Sequence, residues 1–336
     1  MLALLAVGAI SCGGNSKETK AERYWLQGNE QFDQRNFDEA IRFYNEAIGL
    51  APNFTQAYIN RGVAQFELAR YAEATQSHTM AVNLAPDNPE TWYHRAHAQL
   101  LGGQYANALK DLDSLRLRDS VYQDADFLRG LALAELDEYE ASLMAFDRAL
   151  ARDSANAELW VNRANMLYSL RQYSAALEAV REGLARDKEE ANAYNVQALI
   201  YAAMERYDAA LATINEGLRY SSRHPYLSNN KGYIYLQLDS MALAEEWINK
   251  ALKLDVSNPW AYRNKGLWYL ERAQYDDAER VLRQAIRLDE RVDEGYYWLG
   301  EVLRRSGKVD AACGAYAQAV ELRQPNAEAA QKQYCD

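Results

Sequence analysis

The sequence predicts an all-α solenoid of nine helix–turn–helix units, and three observations carry that prediction. From Ala21 the chain repeats with a period of 34, without insertion or deletion, to residue 326. Position 8 of the unit is small every time: Gly28, Gly62, Ala96, Gly130, Ala164, Ala198, Gly232, Gly266 and Gly300. Position 20 is small too, from Ala40 and Ala74 through Ser142 to Ala278 and Ala312. Aromatic residues recur at position 4 (Tyr24, Tyr58, Trp92, Trp160, Tyr194, Tyr262, Tyr296) and at position 17 (Phe37, Tyr71, Tyr105, Tyr139, Tyr173, Tyr207, Tyr275). Between these marks apolar residues fall at helical spacing in two runs per unit, parted by a short turn. Six Pro and 17 Gly in 336 residues are too few for a turn-rich β fold. A single helix pair cannot bury both of its faces, so each unit needs its neighbours.

The chain opens on Met1 to Ser11, an uncharged and almost wholly apolar run, followed by Cys12, Gly13 and Gly14. Ala9-Ile10-Ser11-Cys12 resembles the lipobox of bacterial lipoproteins, in which the Cys is acylated and becomes the new N-terminus. An apolar stretch before a small-residue cleavage site is the general form of a secretory signal. The run is short and lacks a basic start, which a start codon lying upstream of Met1 explains. On this reading residues 1–11 are a signal peptide. Residues 12–20 are then a lipidated Cys12 and a flexible tether, since more than one acyl chain gives stable anchoring. Gly13 after the Cys, by resemblance to lipoproteins of two-membrane bacteria, implies the outer membrane, and a tether without the acidic run that marks surface export in some of them implies a body facing the periplasm. The alternative is a cytoplasmic protein with a plain apolar N-terminus.

Residues 21–326 then divide into units 21–54, 55–88, 89–122, 123–156, 157–190, 191–224, 225–258, 259–292 and 293–326. The period and the small and aromatic positions resemble the tetratricopeptide repeat family. That resemblance implies a right-handed superhelix whose small residues at 8 and 20 let the two helices of a hairpin approach. The register weakens once. Leu115 takes the small position 27, Asp126 stands where position 4 is aromatic, and Arg116–Asp124 is polar, so this reads as the softest junction. Residues 327–336 read as a capping helix over the last unit.

No H-E-x-x-H, G-x-x-x-x-G-K-[ST], G-x-S-x-G or C-x-x-C occurs, and nine units leave no room for a catalytic domain. The expectation is a non-enzyme without cofactor or metal. His94 and His97 share a helix face but lack further ligands, so they read as solvated groove residues; His78, at position 24, reads as a buried spacer. The formal net charge of −11 argues against nucleic acid, whose binding draws on Lys and Arg.

The family resemblance implies that positions 2, 5, 9 and 12 of each first helix, with 6 at the margin, line the concave groove. These positions carry Trp25, Asn29, Asn60, Tyr93, Phe127, Asn165, Tyr226, Asn229, Tyr233, Trp260, Arg263, Asn264, Tyr297 and Trp298, the candidate partner-binding set. The family's carboxylate clamp is incomplete. Asn29 and Asn60 match its two Asn, but Trp25, Glu90 and His94 stand at its cationic places. Asn with Trp and Tyr suits an extended peptide or helix from an envelope protein. The C-terminal group from Tyr226 to Trp298 is expected to dominate. A glycan-binding module is the rival, since the same side chains stack on sugars.

Cys313 and Cys335 are expected to form a disulfide. Their midpoint lies in the turn Arg323–Asn326, so antiparallel packing sets them level, about 16 Å from it at 1.5 Å per residue. Paired Cys near the end of other envelope repeat proteins point the same way.

Overall fold

The computed structural model describes residues 16–120, 122 and 124–335. The signal-peptide and Cys12 readings lie outside these residues. Among the described residues there are nineteen α-helices and no strand. The chain divides into two compact units, Met1–Asp153 and Ser154–Asp336. The first holds the pairs α1 (Lys17–Asp33) with α2 (Phe37–Leu50), α3 (Thr55–Glu67) with α4 (Tyr71–Leu84), α5 (Pro89–Leu101) with α6 (Tyr105–Arg118), and α7 (Ala125–Glu135) with α8 (Tyr139–Arg152). The second holds α9 (Ala157–Ser169) with α10 (Tyr173–Arg186), α11 (Ala191–Ala203) with α12 (Tyr207–Tyr220), α13 (Pro225–Gln237) with α14 (Met241–Leu254), α15 (Pro259–Glu271) with α16 (Tyr275–Leu288), α17 (Gly295–Arg305) with α18 (Val309–Glu321), and finally α19 (Ala327–Tyr334). One expectation is corrected at the start. Lys17–Lys20, read as tether, are the first turn of α1, because the Ser16 hydroxyl accepts from the Thr19 amide and caps the helix.

Each hairpin turns the same way. Position 15 is left-handed in all nine, from Arg35 (φ 61°) to Gly307 (φ 82°), and only Gly103 and Gly307 are glycines there. The next amide reaches back five residues, as in Asn36 to Gln31 and Lys308 to Leu303, which satisfies carbonyls left open at the end of the first helix.

Within a hairpin the side chain at position 24 lies against the small residue at position 8. Tyr44, His78, Leu112, Phe146, Val180, Ile214, Ile248, Leu282 and Tyr316 fill this place, none more than 1% exposed. A Cβ on Gly130, Gly266 or Gly300 would fall 2.5–2.6 Å from Phe146, Leu282 or Tyr316. Wherever position 24 bears a ring, position 8 is Gly. The three Ala, at 96, 164 and 198, face Leu112, Val180 and Ile214.

Between hairpins, in repeats three and five, position 4 and position 30 converge on a single backbone carbonyl of the repeat before. Trp92 Nε1 (2.7 Å) and Arg118 Nε (2.5 Å) both donate to the Pro86 carbonyl, with the guanidinium 4.5 Å over the indole. Trp160 and Arg186 do the same at Ser154, and the Tyr194 hydroxyl reaches the Lys188 carbonyl. This pairing revises the reading of Asp126. It is 8% exposed and ion-paired to Arg148 (3.0 Å) and to Arg152 (2.9 Å) at position 30, which also donates to the Ser120 carbonyl. The fourth repeat thus has a charged version of the same lock, and the boundary between units falls after Asp153 rather than at 116–124.

The chain ends on α19, which packs on α18 through Ala327 and Ala330. Cys313 and Cys335 are in disulfide geometry with Cα atoms 5.6 Å apart. Tyr334 stacks on Tyr316 at 6.3 Å under the Arg304 guanidinium, so the eight-residue helix is held on both sides.

The position 8–24 contact makes a size rule that mutation can test. Gly300→Ala should destabilise by about 1–3 kcal/mol through overpacking on Tyr316. Adding Tyr316→Leu should recover part of that loss, so a double-mutant cycle in urea should give a clear coupling. Additive losses would contradict the rule. His78 provides a pH test. Burial holds its imidazole neutral, with a pKa of about 3 against an ordinary 6.5, and His94, Arg95 and His97 lower it further. The folded pKa is depressed for a base, so stability is complete above pH 6.5 and falls as pH drops toward 3. His78→Phe copies the Gly130–Phe146 pair. Its stability relative to the parent should rise by up to about 1.4 kcal/mol per pH unit between pH 6 and 4.

Candidate partner-binding site

First helices of successive repeats pack on one another, α1 on α3, α3 on α5 and α5 on α7 in one unit, and α9 to α17 likewise in the other. Among the described residues, second helices of successive repeats make no comparable contact. The first helices therefore form the inner, shorter side of each unit, and positions 2, 5, 9 and 12 face it.

In the first unit this side is aromatic. Trp25 sits 5.7 Å from Phe54, and its indole N–H is buried without an acceptor. Phe66 packs on His97 at 4.5 Å, and Tyr93 touches His97 (6.0 Å) and Tyr122 (5.0 Å). Phe127 is half-buried and packs toward Phe146. Burial raises Tyr93 to about 12, with the charge of Asp124 adding to it. Two expectations change here. Asn29 accepts from both Asn60 Nδ2 (2.7 Å) and the Tyr44 hydroxyl (2.9 Å), so these amides join repeats one and two. His94 and His97 are half-buried, not fully solvated. His94 stacks on His78 at 5.3 Å and lies 3.6 Å from Glu90, and burial lowers the pKa of both. Among the described residues no group of three or more His, Cys, Asp or Glu could hold a metal.

The inner side of the second unit is polar and closed. Asn264 donates to Asn229 (2.8 Å), Asn229 to Asn230 (3.2 Å) and Asn230 to Asn195 (2.8 Å), an amide ladder across three repeats. Asn264 is fully buried and Asn229 3% exposed. Arg263, 9% exposed, lies 5.4 Å over the Tyr233 ring with Nη1 3.7 Å from Glu294. Asn229, Arg263 and Asn264 are therefore struts between repeats and do not face a partner, contrary to expectation. The amides meet those of the neighbouring first helix and bond to them, which shuts Asn229 and Asn264 off from water. Asn165 is exposed, and Tyr226 (40% exposed) meets Trp260 edge-on at 5.9 Å at the lip. Tyr297 packs between Trp298 (5.0 Å) and Tyr316 (6.3 Å), and the Trp298 indole donates to Glu294.

Sequence reasoning missed the aromatic residues at position 12. Phe32, Phe66 and Tyr168 are half-buried on the inner side, and burial pushes Tyr168 to about 12 beside Tyr233 and Arg263. Their signal was the 34-residue register itself, which places them on the groove face.

The fold has well-defined relatives. A tetratricopeptide repeat protein from Parabacteroides merdae is similar with a TM-score of 0.67 and 19% identity, over 74% of this chain and 98% of that one. A chain of the APC/C hetero-tetramer Cut9–Hcn1 is similar with a TM-score of 0.59 and 17% identity, over 94% and 69%. The C-terminal part of a TPR repeat-containing protein from Cytophaga hutchinsonii follows with 0.51 and 16%, over 71% and 98%. At such identities the likeness concerns the fold alone. No curated protein matches the sequence. The profile described as tetratricopeptide repeat matches residues 26–89, 93–158, 127–191, 161–216, 195–259 and 264–329. With that profile spread over most of its length and its nine hairpins built on one register, the chain belongs to the tetratricopeptide repeat family.

Proposed function

We propose that this protein is a scaffold that holds a segment of a partner protein along the inner side of its first helices, and that Cys12 tethers it to a bacterial outer membrane with its body in the periplasm. One observation carries the binding reading. Large aromatic side chains stand half-exposed at inner positions, where a core residue would be covered and a plain surface residue would be polar. Tyr and Trp give large contact area with few rotamers to fix. The glycan reading is weaker, because Asn229 and Asn264 are buried and the amides of Asn29 and Asn60 bond each other. The cytoplasmic reading is weaker too. The paired Cys313 and Cys335 suit an oxidising compartment.

Photo-crosslinking in intact cells tests the binding surface. A benzophenone amino acid in place of Phe66, Tyr93, Tyr226 or Trp260 should yield a discrete protein adduct. The same group at Leu117 or Met144, exposed on second helices, should not. Adducts from the second helices alone would refute an inner groove. For the anchor, Cys12→Ala should shift the protein from the membrane pellet to the soluble fraction; retention in the pellet after a high-salt wash would refute lipidation.

A further inference from the structure

Acidic groups border the inner side of the first unit in an ordered way. Along its first helices, positions 2, 5, 6, 9, 12 and 13 of repeats one to four contain no Lys or Arg. The middle positions form the aromatic strip of Trp25, Phe32, Phe66, Tyr93 and Phe127. Position 2, at the N-terminal end of the helices, carries Glu22, Gln56, Glu90 and Asp124. Position 13, at the other end, carries Asp33, Glu67, Leu101 and Glu135. Glu22, Glu67, Glu90 and Asp124 are exposed. The charge of Asp124 reaches Tyr93, His97 and Tyr122 inside the strip. Eleven residues separate the two rows, about 16 Å at 1.5 Å per residue. An α-helix with its side chains is about 10–12 Å wide, so one lying across the strip has a row on either flank within reach of long basic side chains.

We infer that this surface receives an amphipathic basic helix, its apolar side on the aromatic strip and its Lys or Arg side chains on the two rows of carboxylates. The inference rests on the inner-groove reading above and adds the chemistry of the partner. Charge complementarity selects the occupant. An acidic segment would place like charges against both rims, whereas a basic one is steered in and fixed in register. The remaining groups on the strip do not oppose it, because burial keeps His94 and His97 neutral at pH 7. The second unit lacks the pattern. Its inner positions include Arg263, Arg304 and Arg305, and its buried amides leave less apolar surface.

The test uses the full chain carrying Cys12→Ala and two synthetic peptides of about 18 residues, five helical turns. One is a Lys/Leu amphipathic helix, the other its Glu/Leu counterpart, and binding is read by fluorescence anisotropy. The Lys/Leu peptide should bind, more weakly as salt rises, and the Glu/Leu peptide should not. Glu22→Gln with Glu67→Gln and Glu90→Gln should weaken binding roughly tenfold or more. An equal charge change on the second helices, Glu46→Gln with Glu140→Gln and Asp147→Asn, should change it less than about twofold. Leu243→Ala, exposed on a second helix of the other unit, should leave it unchanged. Equal loss in the two triple variants would mean general attraction to an acidic protein and would overturn the inference. So would equal binding of the two peptides, or no binding of the Lys/Leu helix. If inner-side crosslinks to a partner persist in that last case, the groove reading stands and only the basic partner is lost.

Discussion

The contact between position 8 of the first helix and position 24 of the second sets the geometry on which the rest of the structure depends. A side chain no more than 1% exposed is pressed onto a residue with no side chain or a single methyl. Burying an apolar side chain contributes on the order of 1.5–3 kcal/mol, and six of the nine, from Leu112 to Leu282, are of that kind. The contact also fixes helix separation. A ring at Tyr44, His78, Phe146 or Tyr316 needs Gly28, Gly62, Gly130 or Gly300; a smaller Leu112, Val180 or Ile214 accepts Ala. The largest side chains at position 24 meet the smallest partner at position 8, so hairpins of different composition close on a similar contact. An inner side with regular rows of side chains follows from that spacing.

Inter-repeat order comes from hydrogen bonds that side chains at positions 4 and 30 make to a carbonyl of the preceding repeat, two to one carbonyl in repeats three and five. The Pro86, Ser154 and Lys188 carbonyls lie in turns, outside any helix, and each would otherwise face water. Using position 4 and position 30 together places a donor and, in the Trp–Arg pairs, a cation over an aromatic face. On the inner side the two units differ in how they join their repeats. The second uses the amide ladder and Arg263, the first mostly aromatic packing. That difference leaves apolar surface available in the first unit and little in the second.

Most of the fold was legible in the sequence, because its period is set by sterics that act on residue size alone. The hairpin count, the small positions and the spacer role of His78 all follow from the 34-residue register. Much of the site was not legible. Asn229 and Asn264 look like groove residues on a helical wheel, yet they lie buried, bonded to each other across neighbouring first helices. Arg263 misled for the same reason. Asp126 looked like a defect in an aromatic column, and its meaning depends on Arg148 and Arg152, which lie 22 and 26 residues away in sequence. Pairing of that kind is a property of two columns of the repeat read together, whereas hydropathy reads one column at a time.

The matched columns at positions 4 and 30 bear on how such a chain finds its own order. Nine hairpins of equal length and similar pattern offer every second helix several first helices that would nearly fit. Mispairing between copies is a characteristic hazard of repeat proteins. A shifted register would bring Asp126 against Leu84 or Leu254, leaving a buried carboxylate without a partner, or set Arg118 beside Ser228, which has no ring for the guanidinium to stack on. Each such mismatch raises the energy of the wrong pairing without touching the right one. The departures from the repeat consensus thus act as labels that make otherwise interchangeable modules distinguishable, and they favour one assembly order over its near-degenerate permutations.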